Sequence, residues 1–337
     1  MKREKTQFPW IAALAAPYVA VVLLAWLLLA RFADRWWPVA ILMFGPRWVL
    51  LLPAIILVPL TLVARRWRSL LAVMAVLVVV LWPVMGWNWA GLAADDREQR
   101  DLRIVTFNVG NSHADEHRVT VEDLRRLYDI SRSDLMLLQE CGFSKDELFP
   151  FFPDAQIYAT AEACLLSRWP IVRTDVRPGE DLQSVGANGS IVSFDIDAPH
   201  GKFTVVNIHL ATQRPGLERV LSRSTTGGDA MRVAMLARRL DSEAAFGWSL
   251  RSPLPQVVVG DFNMPVESAF YKERWRGYGN AFSDCGLGYG YTKYEKRFGI
   301  RIDHVLYDGA WRCLSAEVDQ SLGGDHRPLI ADLALQR

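Results

Sequence analysis

A chain of 337 residues has room for two domains, or for one large α/β domain with an appendage. Its net charge of +1 hides a division: residues 1–94 carry nine Lys or Arg and only Glu4 and Asp34 as acids, leaving 29 basic against 35 acidic residues in 95–337. That balance speaks against non-specific attraction to duplex DNA, which depends on Lys and Arg neutralising phosphates, and four cysteines with no CxxC pair speak against a structural zinc site.

The first elements are apolar. Residues 10–30, "WIAALAAPYVAVVLLAWLLLA", hold no charge over a length that crosses the hydrocarbon core. Two more uncharged runs follow, Trp48 to Ala64 and Ser69 to Trp87. A cleavable signal peptide would explain the first run alone, but it is longer than a usual h-region and the other two remain. The pattern predicts three transmembrane helices, about 10–30, 48–64 and 69–87, within a membrane region 1–94. Lys2, Arg3 and Lys5, with Arg65, Arg66 and Arg68, outweigh Arg31, Arg35 and Arg47 in the loop between the first two runs. The bias favours a cytoplasmic N-terminus, and an odd number of spans then puts residues 95–337 outside the cytoplasm. A short linker, 95–101, keeps domain 102–337 near the bilayer.

From Leu102 onward, short apolar strands alternate with polar or helical stretches. "RIVTFNVG" reads as a strand ending at Asn108. "VEDLRRLYDISRSDLMLLQE" reads as an amphipathic helix of about three turns, then a strand closing on Glu140. "ACLLSRWPI" is a strand turning at Ser167 and Pro170. "SIVSFDID" and "KFTVVNIHL", separated by "APHG", form a hairpin that delivers His209. "GDAMRVAMLARRLDSEAA" is helical, "PQVVVGDFN" is a strand ending in Asp261 and Asn263, "IRIDHVLYDG" is a strand containing Asp303, and "GGDHRPLIADLAL" closes the chain after Asp325 and His326. Cys164, within "ACLLS", reads as a small core residue; a Cys285–Cys313 bridge stays open if this part of the chain lies outside the cytoplasm.

Each polar residue at a strand end has an ordinary reading on its own. Asn108 suits a turn, Glu140 a solvated strand end, His209 a bonded core histidine, Asp261 with Asn263 an Asx turn, and Asp325 a loop acid. Together they ask for a common partner, because an unpaired buried carboxylate costs several kcal/mol or is neutralised. Oxygen ligands without cysteine suit Mg²⁺ or Mn²⁺ completed by water and substrate phosphate. A histidine beside a carboxylate supplies an oriented base or an imidazolium. That is the equipment of metal-assisted phosphate ester hydrolysis.

The segments "TFNVG", "LLQE", "CLLSRWPI", "VVNIHL", "VVVGDFN", "RIDHVL" and "GGDHRPLIADL", in this order, resemble the endonuclease/exonuclease/phosphatase superfamily, which includes DNase I-like nucleases, sphingomyelinases and inositol polyphosphate 5-phosphatases. The resemblance spans roughly residues 102–335. It implies an α/β four-layer sandwich, two mixed β-sheets flanked by helices, with a single site on one rim. Carried over by position, it implies Glu140 as the principal metal ligand, Asn108 assisting, and Asp325 as a metal or water contact. His209 would touch the scissile phosphate, Asp261 would position or activate the attacking water, and Asn263 would support the phosphate. Asp303 would orient His326, the role of base being shared between Asp261 and His326. Adjacent strand residues face opposite ways, so His304 should point away from the site. Arg232 resembles a recurrent family arginine that either binds substrate phosphate or caps structure. "YTKYEKRFG" departs from the pattern, with no Trp after Thr292. His113, His117 and His200 lie in polar loops and read as solvated.

The expectation is a membrane-anchored, Mg²⁺- or Mn²⁺-dependent phosphohydrolase or phosphodiesterase, acting at the membrane surface on a substrate such as a phospholipid or polyprenyl phosphate. An exported nuclease is the alternative enzyme and requires a basic groove beside the site. A non-catalytic membrane module with the same fold would have no reason to keep every catalytic position. No protein partner is implied.

Overall fold

A computed structural model describes residues 9–93, 99–110, 119–177, 187–295, 297–320 and 322–336, so His113 and His117 lie outside the described residues. The chain divides into two compact units, Met1–Trp87 and Asn88–Arg337.

The first unit is helical. Helices α1 (Pro9–Arg31), α3 (Leu52–Val63) and α4 (Trp67–Val79, continued by a π-turn at Val80–Val84) pack through Val22, Ala54, Leu57, Val73, Val76 and Val80, while the short α2 (Trp37–Phe44) buries Val39, Ala40, Met43 and Phe44. Leu24, Ile55, Ile56, Val63, Leu71 and Val78 point outward instead. An apolar exterior of this kind suits a lipid environment rather than water. Two helices are long and apolar enough to cross a membrane, Trp10–Arg31 and Trp67–Val84. At 1.5 Å per residue the first is about 33 Å long. The middle run departs from the expected single span 48–64. Gly45 and Pro46 break the chain, a 3₁₀ turn occupies Arg47–Leu51, Pro53 lies in the first turn of α3, and the helix pair is bent by 84°. Only as one bent span would it make a third crossing.

The second unit contains two six-stranded sheets and a small hairpin. Its strands are β1 (Leu102–Asn108), β2 (Leu135–Gln139), β3 (Gln156–Ala159), β4 (Ala163–Ser167), β5 (Ile171–Val176), β6 (Ser190–Ala198) and β7 (Gly201–His209). The series continues with β8 (Gln256–Asp261), β9 (Gly279–Asn280), β10 (Lys293–Glu295), β11 (Phe298–Ile300), β12 (Asp303–Tyr307), β13 (Trp311–Val318) and β14 (Leu329–Leu335). One sheet runs β13-β14-β1-β2-β4-β3 and the other β5-β6-β7-β8-β12-β9. Both are mixed: β1 pairs with β2 in parallel and with β14 antiparallel, and β7 pairs with β8 in parallel and with β6 antiparallel. Strand alternation supplies the layers. Ile104, Leu135, Leu137 and Leu333 pack against Phe194, Phe203, Val205, Val257 and Val305 between the sheets. The alternate residues Val105, Phe107, Met136 and Leu138 pack under α5 (Val121–Ser131) through Leu124 and Leu127. That helix starts at a capping box between Thr120 and Asp123 and ends at Arg132, where φ is +50°. On the far face of the second sheet, α6 (Gly227–Ser249) reaches β6 where Trp248 Nε1 donates to Ser193 Oγ (3.3 Å).

Several sequence expectations need correction. "ACLLSRWPI" contributes two strands to different sheets, because Ser167 Oγ folds back on Trp169 and Pro170 ends the pairing. Cys164 is buried, but it is disulfide-bonded to Cys141 (S–S 2.02 Å, Cα–Cα 5.8 Å) rather than a free core thiol. Cys285 and Cys313 are also paired. His200 is half-buried among Trp169, Phe203 and Trp311 rather than solvated. The second unit is tied down from its first residue: Asn88 exchanges main-chain hydrogen bonds with Gly288 (2.8 and 2.9 Å), and its side chain donates to Gly286 O (2.7 Å). Of the expected 95–101 linker, residues 95–98 lie outside the described residues.

Candidate active site

The core rows of four strands run apolar through the sandwich and turn polar at one rim. On β1 the row is Leu102, Ile104, Thr106, Asn108; on β7, Phe203, Val205, Asn207, His209; on β8, Val257, Val259, Asp261; on β12, Val305, Asp303. Register then makes the ends neighbours: His209 lies opposite Asp261, and Asp261 opposite Asp303. One layer below, Gln139 Nε2 donates to Asn207 Oδ1 (2.6 Å) and Thr106 Oγ1 (3.1 Å), while Asn207 Nδ2 donates to Leu138 O (3.0 Å). This buried polar tie joins the two sheets with its hydrogen-bonding groups satisfied.

Glu140 needs more than alternation, which would aim it away from Gln139's side. Its φ of +47° turns it inward. The bend is held by Glu140 N–H on Glu162 O (2.9 Å), Gly142 N–H on Ala161 O (3.0 Å) and the adjacent Cys141–Cys164 bridge. Gly260 solves a different problem. Its φ is +133°, and a Cβ there would lie 1.9 Å from Ile208 O on β7, so only glycine allows β8 to carry Asp261 beside His209.

At the rim Asn108 Nδ2 donates to Glu140 Oε1 (3.2 Å) and Asp261 Oδ2 (3.1 Å), and its carbonyl oxygen accepts Gly110 N–H (3.0 Å). In this orientation Asn108 bridges the two acids. His209 Nε2 lies 3.5 Å from Glu140 Oε1 and 3.9 Å from Asp261 Oδ2. Asn263 donates its main-chain N–H to Asp261 Oδ1 (2.7 Å) and its amide to Leu210 O (2.8 Å), fixing the carboxylate to the end of β7. His326 Nδ1 is 3.0 Å from Asp303 Oδ2, and its Nε2 is 3.7 Å from Asp261 Oδ2 and 3.8 Å from Asp325 Oδ1. His304 faces away, as alternation requires, and is buried between Met264 O and Asn280.

The charges follow from this geometry. Burial and then the Asp303 carboxylate push Asp261 above the ordinary carboxylate range, against the pull of His326 and His209. Burial would also raise Asp303, but the charge and hydrogen bond of His326 hold it below that range. Burial lowers His326, and the Asp303 charge and hydrogen bond more than reverse this. Asp261, Asp303 and His326 offer ligand atoms within 4.8 Å of one another, a set able to hold a divalent metal ion, and oxygen donors dominate around it.

Eight residues expected from the sequence therefore meet at one rim: Asn108, Glu140, His209, Asp261, Asn263, Asp303, Asp325 and His326. Arg232 does not join them. It is exposed on α6 and paired with Asp229 one turn back (2.5 Å), since the helix turns that face to solvent. Two residues went unread. Lys293 on β10 bonds Asp325 and His326. Asp241 of α6 accepts Gly189 N–H (2.9 Å) and Ala211 N–H (3.0 Å), pinning the loops beside His209. A lysine in a polar hairpin has no sequence signal, whereas an aspartate on the buried face of a helix does.

The endonuclease/exonuclease/phosphatase family model matches residues 105–326. Among solved structures, an endonuclease/exonuclease/phosphatase from Beutenbergia cavernae is similar over 70% of this chain and 72% of its own, with 16% identity and a TM-score of 0.53. An endonuclease/exonuclease/phosphatase from Bacteroides vulgatus is similar over 71% of this chain and all of its own, with 16% identity and a TM-score of 0.50. D. rerio TDP2 complexed with single-strand DNA product aligns over 69% of this chain and 98% of its own, with 11% identity and a TM-score of 0.52. At these identities the likeness is one of fold. A comparison with curated proteins finds no match. With the family match covering about two thirds of the chain, from within β1 to His326 and so all the residues gathered at the rim, the chain belongs to the endonuclease/exonuclease/phosphatase family.

Proposed function

We propose that this protein is a membrane-anchored phosphoesterase that uses Mg²⁺ or Mn²⁺ to hydrolyse a phosphate ester presented at the membrane surface, outside the cytoplasm. The observation that carries the reading is the meeting of Glu140, Asp261, Asp303, His209 and His326 at the one rim where four core rows turn polar. Glu140 and Asp261 would hold the cation, since Asp303 is committed to His326 Nδ1. When bound, the cation would polarise the phosphate and neutralise charge growing on its oxygens.

The protein's own groups do the rest. Asp261 is clamped at Oδ1 by Asn263 N–H, and its buried Oδ2 accepts from Asn108 and lies 3.9 Å from His209 Nε2 and 3.7 Å from His326 Nε2. Beside the cation it would orient the attacking water and accept its proton. Asp303 holds His326 Nδ1 and so aims Nε2 at the phosphate, where the imidazole stabilises negative charge or protonates the leaving oxygen. His209 supports the phosphate from the β7 side. The hydrophobic helices favour a lipid-linked substrate, and paired cysteines favour an oxidising compartment. The nuclease reading draws on the DNA product of the D. rerio relative, but the acidic balance of residues 95–337 opposes it.

The test is a screen of the purified full chain against phospholipid, polyprenyl-phosphate and DNA substrates, with Mg²⁺, with Mn²⁺ and with chelator. Cation-dependent release from a lipid phosphate is expected, and Glu140→Gln should lower it by about two orders of magnitude or more. Efficient DNA cleavage with no action on any lipid phosphate would move the assignment to the nuclease.

A further inference from the structure

Lys293 directly follows Thr292 and opens β10. Its position is built by the backbone. Lys293 pairs across to His326 as a β-bridge, Tyr294 N–H donates to Asp325 O (2.7 Å), and Arg327 N–H donates to Thr292 O (2.6 Å). Thr292 Oγ1, fully buried, accepts the N–H groups of Ile302 and Asp303 (both 3.1 Å), so the same hairpin is locked to the strand that carries Asp303. The ammonium lands 3.1 Å from His326 Nε2 and on Asp325 Oδ2. It is largely screened from solvent, with 18% of the side chain exposed.

A lysine bonded to Nε2 occupies the imidazole atom that faces the phosphate. An incoming phosphate oxygen is a stronger acceptor than the Nε2 lone pair, so the ammonium donor turns from Nε2 to that oxygen. An ammonium is a compact charge with three donors, and it responds to the charge of a phosphate more than to its shape. We propose that Lys293 sets the class of phosphate this site accepts, favouring a terminal, dianionic phosphate (a monoester or the end of a diphosphate) over a diester carrying one charge. The inference rests on the phosphoesterase reading and deepens it.

The experiment uses the full chain in detergent with Mg²⁺, and compares p-nitrophenyl phosphate with bis-p-nitrophenyl phosphate. The wild type should favour the monoester in kcat/KM. Lys293→Gln should lower monoester turnover by about ten- to a hundredfold while changing diester turnover far less, and Lys293→Arg should restore most of the preference. Inorganic phosphate, as a competitor of diester cleavage, should bind Lys293→Gln about tenfold more weakly. Equal loss on both substrates with unchanged phosphate inhibition would mean that Lys293 only positions His326, and it would overturn the proposal. A wild type that cleaves only the diester would overturn it as well. A wild type inert toward both esters and toward lipid phosphates would instead remove the phosphoesterase reading itself.

Discussion

Two buried histidines, His304 and His326, sit under opposite electrostatic regimes although both belong to the strand ends around the site. His304 donates from Nε2 to Met264 O (2.8 Å) and accepts at Nδ1 from the Asn280 amide (3.2 Å). A second proton would set two donors against each other at Nδ1. Burial, then the nearby Arg301, push His304 down to about 4. Its folded value lies below the unfolded one near 6.5, so its contribution to stability is complete above that pH and is lost as pH falls toward 4. At most about 3 kcal/mol is at stake. His304→Gln should therefore unfold in urea with a flatter pH dependence between 6.5 and 4 than the wild type; parallel curves would refute the assignment. His326 has the opposite sign, since Asp303 raises it: its contribution is complete below about 6.5 and is lost as pH climbs through the folded value. The sequence revealed that residues 303 and 304 diverge, because alternation is a local rule. It did not reveal what His304 meets, because Met264 and Asn280 reach it only through the tertiary fold.

Elements explain which parts of the site could be read in advance. The inner rows of β1, β7, β8 and β12 were legible, since each is apolar until one uncompensated polar residue ends it. Edge strands β3 and β13 were not, because half-exposed edges lack a clean alternation. The Cys141–Cys164 bridge was hidden for a related reason: it depends on the antiparallel register that sets Leu138 opposite Cys164, a long-range fact. That bridge closes the chain over a sequence separation of 23 and lies next to Glu140. Loss of such a loop closure costs about 3 kcal/mol in the chain-entropy account. The double change Cys141→Ser with Cys164→Ser should lower the melting temperature and raise the metal concentration needed for half-maximal activity. An unchanged metal requirement would separate the bridge from the placing of Glu140. Gly260 makes a sharper claim, because the obstruction is a main-chain oxygen that cannot swing aside. Gly260→Ala should cost more than about 4 kcal/mol and give little folded protein. A stable, active Gly260→Ala enzyme would show that β7 and β8 can part without loss of the site.

At the scale of the whole molecule, the two units carry different chemistry: an apolar helical unit flanked by arginines and lysines, and an acidic α/β unit whose four cysteines are all paired. Disulfides persist where the environment is oxidising, and basic flanks stay in the cytoplasm; both facts favour a catalytic unit on the outer side. The bent pair decides whether this is consistent. Two crossings would return the second unit to the side of the N-terminus, whereas a third, through α2 and α3, carries it across. In intact cells stripped of any wall, added protease should then digest the catalytic unit and leave the N-terminal helices in the membrane. A bulky maleimide should label no cysteine until the protein is reduced. Protection of the catalytic unit from protease, with free thiols before reduction, would place the site in the cytoplasm. The bent pair would then be a re-entrant element rather than a span, and the substrate would have to be sought among cytoplasmic phosphate esters.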